Sequence, residues 1–191
     1  MKKILSVLAI LFVSTSLFAK GLDTYASISY DYDISNINDE GHLFWNNAQG
    51  TTLGIHFYCI GDLGLYANMG YNYVFNSKLK DIIKPGENSF IFDGSVGLTY
   101  RYSLSDNLEL SFDLGVNFWQ QTFGSGDTEE TLSGIGGSGD VCARYVFSNK
   151  FFTQAGLLFS YDPVTPSSSS SDSFPCIDTR VYVGIGFVFE E

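Results

Sequence analysis

From residue 22 to residue 189 the chain runs in segments whose side chains alternate between apolar and polar or small. The last segment is the clearest. Val181, Val183, Ile185, Phe187 and Phe189 fall on one side, and Arg180, Tyr182, Gly184, Gly186 and Val188 on the other. Strand side chains point alternately to opposite faces, so this is a strand with one apolar face. The same period predicts strands over 22–34, 51–60, 64–75, 89–102, 108–122, roughly 138–147, 151–161 and 179–189. Long polar stretches at 35–50, 76–88, 123–137 and 162–177 alternate with short connections at 61–63, 103–107 and 148–150. An even set of about eight strands, each long enough to cross a bilayer at a tilt and joined by alternating long loops and short turns, predicts an antiparallel up-and-down transmembrane β-barrel.

Alternation alone leaves open which face points inward, since a soluble barrel alternates too. Two features decide it. The apolar faces are rich in Phe, Tyr and Leu, and an eight-strand barrel encloses too little space to hold them all. The opposite faces carry Gly54, Gly64, Gly70, Gly97, Gly115, Gly156, Gly184 and Gly186. Glycine on a solvated strand face weakens the strand for no gain, but on a crowded inner face it makes room. The apolar face therefore points to lipid.

The inner face then holds Asp93, Arg101, Glu109, Asp113, Asn117, Gln121, Asp140, Arg144, Gln154 and Arg180. A turn at 103–107 sets Arg101 opposite Glu109, and the turn at 148–150 sets Arg144 opposite Gln154. His56 falls on the same face, opposite Asn68. Buried charges demand partners, so these groups read as a polar plug that holds the barrel shut.

Residues 1–19 read as a secretory signal peptide, with Lys2 and Lys3 before an apolar run that is too short to span as a helix, and small residues up to Ala19. Residues 20–191 are then the barrel. The net charge of −11 becomes −13 without those two lysines, which disfavours nucleic acid as a partner. The aromatic content of 16% suits a barrel with aromatic girdles at both interfaces. The three cysteines, Cys59, Cys142 and Cys176, leave at least one unpaired. Cys142 and Cys176 are read as both lying toward the outer rim, where a disulfide between them stays open.

Candidate chemistry is thin. His56 and His42 are the only histidines, and neither stands in a nucleophile motif, so no enzymatic activity is expected. The glycine run at 134–139 has no following helix to bind phosphate. No Cys/His cluster has metal-ligand spacing, and no cofactor is expected. The loops are where a distinctive function would reside. Phe44 and Trp45 in the first could make an outer contact. Lys78, Lys80 and Lys84 in the second could pair with anionic head groups or sugars.

The chain resembles the small eight-stranded outer-membrane barrels of the OmpX and OmpA-barrel type, on its architecture from Lys20 to Glu191 and on its closing strand. The resemblance implies a bacterial outer-membrane protein with both termini periplasmic and four extracellular loops. It also implies that Tyr182, Phe187 and Phe189 form a C-terminal signal for the barrel-assembly machinery, here followed by Glu190 and Glu191. The function expected is envelope integrity or surface interaction through the loops, with outer-membrane lipid and an extracellular ligand or host surface as partners. A narrow channel for small or apolar solutes and a secreted soluble ligand-binding barrel are the alternatives.

Overall fold

The structure is a computed structural model, and it describes residues 23–39, 42–77, 89–123, 130–147, 150–167 and 173–189. Residues 1–19, read above as a signal peptide, lie outside the described residues, as do Lys78, Lys80 and Lys84. Eight strands follow one another: β1 (Asp23–Asp39), β2 (His42–Ile60), β3 (Leu63–Ser77), β4 (Phe90–Ser103), β5 (Leu108–Phe123), β6 (Glu130–Val146), β7 (Phe151–Pro166) and β8 (Phe174–Phe189). Each pairs antiparallel with the next. β8 returns to β1 from Thr24↔Phe189 to Ile37↔Cys176, which closes the barrel. Closure leaves no unpaired sheet edge.

Strands and turns occur where the alternation places them, but most strands are longer at the loop end. β1 and β2 run through the expected loop at 35–50 and pair up to Asp39↔His42. β6 begins at Glu130, inside the expected loop at 123–137, and β7 and β8 share most of the expected loop at 162–177. The alternation persists there in neutral polar form, as in Ser35, Asn36, Ile37 and Asn38, and backbone pairing continues wherever two neighbouring strands both remain extended.

Two registers differ from expectation. Tyr102 pairs with Leu110, so Arg101 stands opposite Ser111, not Glu109, and Ser103 stands opposite Glu109. The turn is tighter than 103–107: Leu104 N donates to Leu108 O at 2.8 Å, and Ser105 Oγ accepts from Leu108 N at 3.2 Å. His56 stands opposite Tyr66, and Asn68 opposite Gly54. Here the connection shrinks to Gly61 and Asp62, with Gly61 at φ 59°, a left-handed turn position that glycine adopts freely, and a bulge at Cys59 slides the pairs. Arg144 is opposite Gln154.

The outer wall divides into three bands. Tyr100, Tyr102, Tyr145, Phe151, Phe187 and Phe189 stand exposed toward the turn end, and Tyr30, Tyr32, Tyr71, Tyr73, Phe159 and Tyr161 toward the loop end. Between them lie aliphatic groups such as Ile28, Leu65, Leu98, Leu114, Val116, Val183 and Ile185. On β7 the rings at the two ends are Phe151 and Tyr161. At about 3.3 Å per residue and a strand tilt of about 40°, they stand about 25 Å apart, the height of a lipid-facing apolar band.

Candidate functional site

Among the described residues, chemistry is concentrated on the inner wall, which is filled from end to end. At the turn end, Tyr25, Tyr58, Phe152 and Val188 form a buried apolar cluster. Tyr25 meets Tyr58 edge-on, with ring centroids 5.4 Å apart. Arg101 lies over the Tyr58 ring at 4.5 Å and Arg144 over Tyr25 at 5.3 Å. Each cation thus caps an aromatic face, an arrangement that is attractive when desolvated. Arg101 also holds Asp23 and Asp62, both at 3.0 Å, which ties the start of β1 to the β2–β3 turn. Glu109, its expected cross-strand partner, is diagonal to it at 4.0 Å and accepts from Tyr25 Oη at 3.0 Å.

In the middle stands a second cluster. His56 Nε2 is 2.8 Å from Asp113 Oδ2, and Arg144 Nη2 lies 3.0 Å from His56 Nε2 and 3.2 Å from Nδ1. A neutral imidazole with its proton on Nε2 donates to Asp113 and leaves Nδ1 to accept from Arg144. Arg144 also donates to Tyr58 Oη at 2.8 Å and to Gln154 Oε1 at 3.4 Å, and Gln154 passes the chain on to Ser29 at 2.9 Å. Tyr182 Oη donates to Asp140 at 2.9 Å. A cavity of about 20 Å³ lies among Ser29, Thr52, His56, Asp140, Arg180 and Tyr182, room for about one water.

Nearer the loop end, Arg180 grips Asp93 with both fork nitrogens, at 2.6 and 3.0 Å. The same guanidinium is 3.4 Å from Asp33 and 3.5 Å from Asp178. Gly70 makes the space: a Cβ there would stand 2.6 Å from Asp93 Oδ2 and 2.8 Å from Arg180 Nη1. Asp162 is held by Asn117 Nδ2 at 3.0 Å and by Ser160 Oγ at 2.6 Å.

Above this network lies a layer that sequence reasoning missed. Ile37, Ala48, Val74, Ile91, Trp119, Leu132, Val164 and Cys176 form one buried apolar cluster, a single residue from each of the eight strands. Trp119 is the largest of them and is 0% exposed. The signal was present but easily overlooked: Trp119 takes the inward-facing position between Asn117 and Gln121, and on β7 Phe152 takes the same phase as Gln154.

Of the sequence-predicted inner residues, Asp93, Asp113, Asp140, Arg144, Gln154, Arg180 and His56 are buried in the lumen. Trp45 lies on the outer face of β2, half-exposed, within a strand rather than a loop. Phe44 is also in β2, with its side chain outside the described residues. In the closing strand Tyr182 turns inward, Phe187 packs against Phe151 at a tilt of 46° with centroids 3.8 Å apart, and Phe189 is exposed. All three cysteines are free. The expectation that Cys142 and Cys176 share the outer rim fails, because Cys142 sits four residues from the turn end of β6, beside Gln154, whereas Cys176 belongs to the apolar layer at the loop end.

No protein-family model matches the chain, and no curated protein sequence matches it. Solved structures do. Neisserial surface protein A superposes with a TM-score of 0.68 at 9% identity, over 89% of this chain and 100% of that one. The outer membrane protein OprG from Pseudomonas aeruginosa gives 0.59 at 13% identity, over 90% and 97%. Ail, the attachment invasion locus protein of Yersinia pestis, gives 0.54 at 17% identity, over 86% and 98%. The chain therefore has the fold of the small eight-stranded outer-membrane barrels.

Proposed function

We propose that this chain is an integral outer-membrane β-barrel with a closed lumen, non-enzymatic, serving envelope integrity or surface interaction through its loop end. The aliphatic belt sits in the hydrocarbon layer, the two aromatic bands at its interfaces, the termini and short turns in the periplasm. Phe187 and Phe189, with Tyr182 behind them, are the C-terminal signal read by the assembly machinery.

The observation that carries the closed lumen is the apolar layer with one residue from every strand. A conducting pore needs a continuous polar path. Here the ionic network below Trp119 is capped by apolar side chains whose polar atoms are only the Trp119 N–H and the Cys176 thiol, and the turn end is filled by Tyr25, Tyr58 and Phe152. The network itself is structural: Arg180 is matched to Asp93, Asp33 and Asp178, and Arg144 to Tyr58, His56 and Gln154. Ail has been crystallised in complex with the heparin analogue sucrose octasulfate. A polyanion of that kind wants arginine or lysine, and among the described residues the outer wall of the strands here carries none.

Planar-bilayer recording tests the closed state. The refolded barrel should give no conductance steps above the bilayer background. Steady unitary steps would favour a channel for small solutes instead.

A further inference from the structure

The barrel closes where β8 meets β1, and toward the loop end of that seam two carboxyl groups meet. Asp33 on β1 pairs with Arg180 on β8, and Asp178 stands one inward position nearer the loops, opposite Ser35. Both are buried, at 0% and 1% exposed. Oδ2 of each lies against Arg180 Nη2, at 3.4 and 3.5 Å. That nitrogen carries two hydrogens, and Asp93 Oδ2 already holds it at 2.6 Å. The remaining oxygens, Asp33 Oδ1 and Asp178 Oδ1, have no donor. Yet the two carboxyl groups are within hydrogen-bond contact of each other.

Two ionised carboxylates can only accept, so a hydrogen bond between them needs a proton on one. That proton also removes a buried charge that Arg180 alone cannot match. The groups around the pair add carboxylates to it: Asp31 on β1, Asp93 on β4 and Asp162 on β7, with Asp140 on β6 facing Arg180 across the small cavity. Cys176, beside Asp178 on β8, brings a thiol of the apolar layer. The described inward residues of β2, β3 and β5 at this depth, such as Thr52, Asn72 and Asn117, are uncharged. We infer that a single proton shared by Asp33 and Asp178 latches the closing seam toward its loop end, and that the latch releases as pH rises. The folded barrel keeps this proton at neutral pH, whereas the unfolded chain, with its carboxyls in water, has released it. Unfolding then gives up a proton, and stability falls as pH rises. The latch contributes in full below about pH 4, where the unfolded carboxyls also hold their protons, and is lost as pH rises through the titration of the folded pair.

The test compares the parent with Asp178→Asn and Asp33→Asn. In either variant an amide N–H donates to the remaining carboxylate at every pH, so the contact survives without the proton. The refolded mature chains are unfolded in urea in detergent at pH values from about 6.5 to 8.5, above the ordinary carboxyl range and below that of tyrosine. One retained proton raises the unfolding constant about tenfold per pH unit. The slope of each variant should therefore be shallower than the parent's by about tenfold per pH unit, the contributions of His56 and the other carboxyls being common to all three. Infrared spectra of the folded proteins at about pH 7.5 give the second readout. The parent should show the C=O stretch of a protonated carboxyl, and the band should lose intensity in both variants. Parallel pH slopes with an undiminished band overturn the latch. So does a folded parent with no protonated-carboxyl band, a result that needs neither variant to fold.

Discussion

Replacing Arg180 with Met should lower the unfolding free energy of the barrel by about 3–5 kcal/mol, the cost of leaving buried charges without their counter-ion. Arg180 is 1% exposed, and three carboxylates converge on it, from Asp93, Asp33 and Asp178, all nearly fully buried. The Met side chain fills a similar volume but offers no charge and no donor. Thr52, which accepts from Arg180 at 3.1 Å and donates to Asp31, would lose the first of those bonds. Arg180→Lys should fall between the two, because it keeps the charge but cannot make the two-pronged grip on Asp93. Urea unfolding of the refolded protein in detergent, followed by tryptophan fluorescence, reads both variants. A loss under about 1 kcal/mol for Met would mean the pair is solvated in the manner of a surface ion pair, and the lumen is wetter than its geometry implies.

Trp119→Ala should cost a comparable amount, about 3–5 kcal/mol, for a different reason. The indole is fully buried at the centre of the apolar layer, where β5 pairs it with Gly134 on one side and Asp93 on the other. Barrel walls are held by backbone hydrogen bonds all round, so they cannot collapse inward to fill the gap, and the cavity term is paid nearly in full. Trp119→Phe should cost less than half as much. It leaves a smaller void, and it removes an indole N–H that has no hydrogen-bond partner, a group that costs free energy when buried. Thermal or urea midpoints of the two variants against the parent check the order. Equal losses for Ala and Phe would show that the N–H, and not the packing, matters at this site.

The barrel, its strand count and the assignment of faces were legible from alternation because side-chain period is a local property. Val181 to Phe189 declares both faces within nine residues. Register was less legible, because it depends on how few residues a turn needs. Ser105 Oγ closing on Leu108 and the bulge at Cys59 each moved a pairing, and so separated Arg101 from Glu109 across the ladder and His56 from Asn68. The long-range partners were not legible at all. Arg180 finds Asp93 on β4, 87 positions earlier, and Arg144 finds His56 on β2, 88 positions earlier. Only closure of the sheet brings those strands to face each other across the lumen. The apolar layer escaped for the same reason: each strand supplies one residue to it, and one apolar residue at an inward position looks like noise until all eight are seen together.

The most direct test of the central claim, a barrel with its apolar face in lipid, is flotation. The mature chain is diluted from urea into buffer with phosphatidylcholine vesicles and spun in a density gradient after a high-pH wash. A transmembrane barrel floats with the vesicles and, unheated, migrates on a denaturing gel apart from its boiled form, because every strand is bonded on both sides in a closed sheet. A protein that stays in the aqueous fraction as a folded monomer would contradict the claim and would turn the assigned faces inside out.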